Sequence, residues 1–259
     1  MSAMDESEPG DTAIAPKGAR ARVVRRTVPF VHLPTWSRLH VAARQWSPAG
    51  NGGDFFEVIQ QRDGRVTAFI ADVCGNGPSA AGPVSRLRWI LRQAIARGEA
   101  PGAVLAALND WLVQERTDDR FVTGVCVRVD PMTGDARIAS AGHLGPFVKR
   151  AAGYAEDLFP SVGLAMGILP GQRYRETPVS LAPDDAVVLV TDGITDPLAA
   201  TGDPLGERGL VTQLARAGHG SENICAALGS DVRATEDATV LVMQMPRRHR
   251  RATPLAHAG

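Results

Sequence analysis

Residues 69–77 read Phe69-Ile70-Ala71-Asp72-Val73-Cys74-Gly75-Asn76-Gly77, an apolar run that stops at an aspartate and passes into glycine-rich backbone. The same pattern returns at residues 187–193, Val187-Val188-Leu189-Val190-Thr191-Asp192-Gly193. We interpret both stretches as buried strands with a carboxylate at the strand end. A buried carboxylate is costly unless hydrogen-bond donors or a metal ion satisfy it. Asp72 and Asp192 therefore indicate a functional site that satisfies both carboxylates.

Two further acids have similar settings, because Asp54 precedes one apolar segment and Asp237 precedes another. Four carboxylates at four strand ends predict one shared cation site. Oxygen ligands favour magnesium, manganese or calcium. Three or four acids carry enough negative charge for about two divalent ions, roughly 3.5–4 Å apart, which could share and activate a water. A backbone carbonyl such as that of Val73 could complete the ligand set.

The composition excludes several classes of protein. The chain has 259 residues, with 28 basic and 28 acidic side chains, so no net charge indicates nucleic acid or a membrane surface. The N-terminus has no signal peptide, no run is long enough to span a bilayer, and the three cysteines lack metal-type spacing. We expect a soluble cytoplasmic protein with free thiols. Residues 1–37 are predicted to be a flexible N-terminal segment and 247–259 a basic tail.

The spacing of apolar residues predicts strands and two pairs of helices. The first pair is predicted at about Pro83–Arg97 and Ala103–Glu115, and the second at Glu207–Ala217 and Ser221–Arg233. Strands and helices that occur in blocks favour an α+β fold over a parallel doubly wound sheet. Two mainly antiparallel sheets, packed face to face with a helix pair on each outer side, would bury every apolar face. The strands are predicted at 39–45, 55–60, 66–71, 121–129, 136–141, 146–150, 186–191 and 239–245.

Familiar catalytic motifs other than metal chemistry do not fit. A cysteine phosphatase needs an arginine six positions after its thiol, and those positions hold Ala80, Met132 and Asp231. The chain also lacks a Gly-x-Ser-x-Gly elbow, a Walker lysine and a His-Glu-x-x-His motif. Metal chemistry with oxygen ligands remains.

Six ordered motifs give the chain a resemblance to a known family. The motifs are Gly52-Gly53-Asp54-Phe55-Phe56, Ala71-Asp72-Val73-Cys74-Gly75-Asn76-Gly77, Phe121-Val122-Thr123, Ala139-Ser140-Ala141-Gly142-His143, Thr191-Asp192-Gly193-Ile194-Thr195-Asp196 and Glu236-Asp237-Ala238-Thr239. In this order they resemble the signature of bacterial metal-dependent serine/threonine protein phosphatases of the stage II sporulation protein E type. The resemblance covers about residues 38–245.

The resemblance implies a four-layer α-β-β-α sandwich, with a phosphatase domain at 38–246 that holds two Mn²⁺ or Mg²⁺ ions. Asp72 would bridge both ions, the Val73 carbonyl would bind one, Asp192 would be a direct ligand, and Asp54 would bind directly or through water. These three aspartates are the residues predicted to carry catalysis. The last motif usually has two adjacent aspartates but here reads Glu236-Asp237, so either residue could be the remaining ligand.

The family resemblance also implies a reaction and a partner. Its members hydrolyse phosphoserine or phosphothreonine on an anti-sigma-factor antagonist, which switches a partner kinase and its sigma factor. We expect this activity, with no role for nucleic acid or membrane, and a homodimer is compatible with the sequence. Two alternatives are a catalytically weak binding module that sequesters a regulator, and a general phosphatase of small molecules. A structural, hydrogen-bonded role is predicted for His143.

Overall fold

The computed structural model describes residues 26–27, 38–47, 53–74, 78–115, 121–158, 162–196, 204–230 and 237–247. These residues form two six-stranded sheets and five helices. In this part of the chain, no helix is long and apolar enough to cross a membrane.

The first sheet, which we call sheet A, contains residues Val187–Val190 of the second stretch, in β11. All of its neighbouring strands are antiparallel, and β11 lies near its centre. The strands follow the order β1 (Arg26–Thr27), β2 (His40–Ser47), β12 (Ala238–Gln244), β11 (Ala186–Val190), β7 (Phe147–Lys149) and β8 (Ala155–Asp157).

The second sheet, sheet B, contains residues Phe69–Val73 of the first stretch, at the end of β4. Its strands are antiparallel, apart from a short parallel pairing between β9 and β6. The main order is β10 (Thr177–Ser180), β6 (Asp135–Ala141), β5 (Val122–Val129), β4 (Val66–Val73) and β3 (Phe55–Gln60), and β9 (Val162–Gly163) lies beside β6.

The layer between the sheets is apolar for most of its length and polar at one end. Side chains alternate between the two faces of a strand. The core between the sheets contains alternate residues of β4 and β11, namely Val66, Ala68, Ile70, Val187 and Leu189. Two positions further along the same sides come Asp72 and Thr191, and on neighbouring strands the register places Thr123 opposite Asp72 and Gln45 opposite Thr239. The polar end is therefore the end that carries the predicted ligands.

Each outer face is covered by a pair of helices. The helices α1 (Pro78–Ala96) and α2 (Pro101–Glu115) pack on sheet B, whereas α4 (Gly206–Arg216) and α5 (Ser221–Gly229) pack on sheet A. A short helix, α3 (Asp192–Thr195), follows β11. The four layers confirm the predicted α+β sandwich with two mainly antiparallel sheets.

The structure corrects some of the predicted elements. The first helix starts at Pro78, five positions before the predicted Pro83, and it continues through Pro83. Proline is favourable in the first turn, where backbone N–H groups have no partner within the helix, so Pro78 suits the start. The sequence prediction missed α3 and the short strands β1, β8, β9 and β10. Arg26–Thr27, inside the predicted flexible segment, pairs with β2.

A largely buried ion pair joins strand ends of the two sheets. Asp185 accepts hydrogen bonds from Arg150 Nη1 (2.8 Å) and from the backbone N–H groups of Ala151 (2.8 Å) and Ala182 (3.0 Å). Arg150 also donates to the carbonyl of Ser180 at 2.9 Å, at the end of β10. The pair thereby links sheet A to sheet B at the end of the sandwich away from the four aspartates.

We expect Asp185→Ala to lower the free energy of unfolding by about 3 kcal/mol, because it removes a buried carboxylate and leaves three donors without their acceptor. Urea denaturation measures this loss. The matched control is Glu115→Ala, which removes an exposed ion pair with Arg86 and should cost less than about 1 kcal/mol. Equal losses in the two variants would contradict a structural role for the Asp185 network.

Candidate metal centre

Four aspartates from both sheets line one cavity of about 440 Å³. Asp54 immediately precedes β3, Asp72 is the penultimate residue of β4, Asp192 begins α3 after β11, and Asp237 immediately precedes β12. The structure thus brings the four described acids of the predicted set to one end of the sandwich. Glu236 lies outside the described residues, so the choice between Glu236 and Asp237 as a ligand stays a prediction.

Asp54 is the most buried of the four acids, with 6% of its surface exposed. Its Oδ2 accepts hydrogen bonds from the hydroxyls of Thr191 and Thr239, each at 2.7 Å. Burial raises the pKa of Asp54 to about 7, the two hydroxyl bonds lower it, and the negative charges of Asp72 and Asp237 raise it again. The nearby acids therefore already influence one another, and a bound cation would favour their charged forms.

Gly53 lets the segment before Asp54 lie close to the end of β4, where Asp72 and the carbonyl of Val73 are found. The backbone N–H of Val73 donates to the carbonyl of Gly53 at 3.2 Å. A Cβ at position 53 would lie 2.5 Å from the Val73 carbonyl oxygen and 2.9 Å from Asp72 Oδ1. Only glycine fits this position without a shift of backbone, which explains the glycine before Asp54.

Asp192 is held beside the start of β12 by a second close approach. A Cβ at Gly193 would lie 2.0 Å from the backbone oxygen of Asp237, so the α3 turn packs directly on that backbone. Burial raises the pKa of Asp192, and the charge of Asp196 raises it further, although the side chain is exposed to the cavity. Asp192 and Asp237 consequently approach the cavity from adjacent strands of sheet A.

The donor types fit a hard divalent cation, since the cavity offers carboxylates and a backbone carbonyl. Among the described residues, however, no three His, Cys, Asp or Glu side chains are grouped closely enough to hold one ion as they stand. A larger cavity of about 560 Å³ lies at the other end of sheet B, lined partly by Arg65, Arg128 and Arg137, and it contains none of the predicted ligands.

His143 is a buried residue in the wall of the cavity, and both of its ring nitrogens form hydrogen bonds. Its Nδ1 lies 2.8 Å from the hydroxyl of Thr123, and its Nε2 lies 3.1 Å from the carbonyl of Val190. A carbonyl can only accept, so we assign the proton to Nε2 and the Thr123 hydroxyl as donor to Nδ1. The ring bridges the strand beside Asp72 and the strand that leads to Asp192, which is the structural role predicted for it.

Gln45, Thr191 and Thr239 have no role predicted from the sequence. Gln45 Nε2 donates to the backbone carbonyl of Asp54 at 2.8 Å, and the hydroxyls of both threonines donate to the side-chain carboxylate of Asp54. One signal was available, because each of these polar residues continues an otherwise apolar column between the sheets. The sequence pattern does not show that all three bind Asp54, because this contact depends on how the two sheets pack.

The arrangement of layers and strands is found in solved structures of one class. The PP2C phosphatase domain of the cell fate determinant SpoIIE from Bacillus subtilis is similar at a TM-score of 0.70 and 18% identity, over 80% of this chain and 63% of that chain. RsbX, solved in complex with magnesium, is similar at a TM-score of 0.64 and 16% identity, over 85% of this chain and 99% of that chain. The fold is therefore that of the PP2C phosphatases.

The family follows from the sequence match. The model of the family described as Stage II sporulation protein E (SpoIIE) matches residues 62–246, so the chain belongs to the SpoIIE family. Phosphoserine phosphatase RsbU from Bacillus subtilis is 25% identical over 173 residues, which are 67% of this chain. The match covers 51% of RsbU, so this chain spans about half the length of that relative.

The buried imidazole predicts a dependence of stability on pH. Burial lowers the pKa of His143 to about 4 from an ordinary value of 6.5, so the folded protein favours the neutral ring. As the pH falls, the unfolded chain binds the proton before the folded protein does. The free energy of unfolding therefore decreases by about 3 kcal/mol between pH 6.5 and pH 4. The full contribution is present above pH 6.5.

Urea unfolding of the wild type and of His143→Gln at several pH values measures this contribution. All other titrating groups, including Asp54, are common to both proteins, so the difference between their stabilities isolates the ring. We expect that difference to shrink as the pH falls below about 6. A difference that is constant from pH 7 to 4 would show that the ring is not held neutral.

Proposed function

We propose that the chain is a metal-dependent phosphoserine/phosphothreonine protein phosphatase. The observation that carries the proposal is the charge of the cavity, which is lined by four aspartates and, among its described lining residues, by no arginine or lysine. Carboxylates alone would repel a phosphate group. Membership of the SpoIIE family and this need for cations lead to the same reaction, in which water cleaves a phosphomonoester and releases an alcohol and inorganic phosphate.

We assign the cation ligands as the resemblance implies. Asp72 would bridge two Mn²⁺ or Mg²⁺ ions, the Val73 carbonyl and Asp192 would bind directly, Asp54 directly or through water, and Asp237 or Glu236 would complete the set. When bound, such ions lower the pKa of water and neutralise charge on the phosphoryl group. The magnesium complex of RsbX, which shares the fold, supports a divalent ion. The carboxylates at this end of the sandwich would hold the cations.

The proposed catalytic domain extends from residue 38 to 246. The family match begins at residue 62, but β2 (His40–Ser47) pairs along its length with β12, and Asp54 lines the cavity. These contacts support a domain that starts before the matched region. Residues 1–37 and 247–259 would flank it.

The proposed substrate is a phosphorylated anti-sigma-factor antagonist in a partner-switching pathway. The name of RsbU, a phosphoserine phosphatase, supports a phosphoserine substrate, and the ordered motifs support the pathway. Turnover on phosphoprotein and metabolite panels separates this assignment from a general phosphatase of small molecules. Comparable turnover of many metabolites would favour the small-molecule activity.

The purified protein should hydrolyse p-nitrophenyl phosphate or a phosphoserine peptide with Mn²⁺, and EDTA should abolish this activity. Asp72→Asn and Asp192→Asn should each lower kcat/KM by at least about 100-fold, because each removes a direct ligand. Asp135→Asn is the matched control at the far end of sheet B and should retain activity. Cys74→Ala should also retain it, since no covalent phosphoenzyme is expected. Full activity of Asp72→Asn would exclude the assignment.

A second candidate function is a catalytically weak module that binds and sequesters a regulator. The separation of the described acids, no three of which are grouped for one ion, favours this alternative. Calorimetry distinguishes the two functions. Mn²⁺ binding below millimolar concentration supports the phosphatase, whereas no Mn²⁺ binding together with tight partner binding supports the module.

A further inference from the structure

We propose that Thr191 and Thr239 are positioning residues that orient Asp54 as a cation ligand, with Gln45 fixing its backbone. We call these three residues the Asp54 seat. The inference rests on the proposed function, because it concerns how the chain prepares one ligand of the metal centre. Neither threonine needs to contact the cation or the phosphate for this role.

The hydroxyls of Thr191 and Thr239 both donate to the carboxylate of Asp54. Thr191 Oγ1 accepts the backbone N–H of Thr239 at 2.8 Å, so its single proton is free to point at Asp54 Oδ2, 2.7 Å away. Thr239 Oγ1 donates to the same oxygen at 2.7 Å. In the charged form that binds a cation, the carboxylate has no proton to donate, so both hydroxyls must donate to it. The rotation of the carboxylate is thereby set by two donors.

The bonds to Asp54 use one oxygen and leave the other for a ligand. Within the described part of the chain, every side-chain hydrogen bond of Asp54 is made by Oδ2. Asp54 nevertheless lines the cavity with Asp72, Asp192 and Asp237. One bonded oxygen is the arrangement expected of a ligand held by supporting residues.

The seat connects the two sheets at the metal centre. Asp54 belongs to the segment that enters sheet B. Gln45 and Thr239 lie on β2 and β12 of sheet A, and Thr191 directly follows β11 of the same sheet. Gln45 and Thr239 are register partners, and the Thr191 N–H donates to the Thr239 carbonyl at 3.1 Å. The three residues therefore form one row across sheet A. This row positions Asp54 relative to two other predicted ligands. Asp192 directly follows Thr191, and Asp237 lies two residues before Thr239.

Isosteric substitutions test the two hydroxyls. Thr191→Val and Thr239→Val keep the side-chain shape but remove a donor to Asp54. We expect each to weaken Mn²⁺ binding about 10- to 100-fold, as is typical when a residue that supports a metal ligand is lost. Thr239→Ser retains the hydroxyl and should bind Mn²⁺ within about threefold of the wild type, on the same grounds. Isothermal calorimetry with Mn²⁺ alone measures affinity without relying on activity.

Thr67→Val is the matched control, because Thr67 is a buried threonine on β4 whose hydroxyl donates to Gln61 Oε1 at 3.0 Å, at the far end of the sheet. It should leave Mn²⁺ affinity unchanged. Urea unfolding of every variant shows whether a fold defect accompanies the change. With saturating Mn²⁺, we expect kcat of the single valine variants to approach the wild-type value although their affinity for Mn²⁺ stays lower. The bound cation can then hold Asp54 itself.

The outcomes separate this inference from the proposed function. A wild-type protein that binds Mn²⁺ and hydrolyses phosphoserine, with valine variants that bind Mn²⁺ as tightly as the wild type, would overturn the positioning role alone. A wild-type protein that binds no Mn²⁺ would overturn both. If one valine variant does not fold, the other valine variant and Thr239→Ser answer the question by the same titration. Weaker binding in the valine variants and recovery in the serine variant support the seat.

Discussion

The carboxylate of Asp54 is buried between two sheets and accepts hydrogen bonds from threonine hydroxyls of the opposite sheet. Much of the functional end of the molecule depends on this arrangement, because a buried charge has to be matched by donors or cations. The donors come from sheet A, while the acid comes from sheet B. The two sheets must therefore meet in one register before the acid is stable, and that register also brings Asp72 and Asp192 to the same cavity.

The sandwich has one kind of core along most of its length and another at the site. Apolar residues of β4 and β11 pack between the sheets, and the same columns then end in Asp72 and Thr191. His143 crosses the gap with hydrogen bonds to Thr123 and Val190. Apolar packing tolerates small slips of one sheet over the other, whereas directional hydrogen bonds do not. The polar end thus fixes the geometry that the apolar core leaves free.

Local sequence patterns were enough to predict the layers of the fold and the set of acids. Alternating apolar residues marked the long strands, and helical spacing marked four of the five helices. Short strands such as Ala155–Asp157 and Val162–Gly163 were missed, because two or three residues carry no periodicity and owe their pairing to a neighbouring strand. The roles of Gln45, Thr191 and Thr239 were missed for a related reason. Their contacts join positions that are 9, 137 and 185 residues from the partner, so no local pattern encodes them.

The central claim is that these carboxylates form one cation centre shared by the two sheets. Anomalous diffraction from crystals of the protein grown with Mn²⁺ tests this claim most directly. The account predicts two manganese peaks in the cavity, both within coordination distance of Asp72, with Asp192 and Asp54 around them. No peak in the cavity, or manganese bound only at other carboxylates such as Asp130 and Asp135, would contradict it.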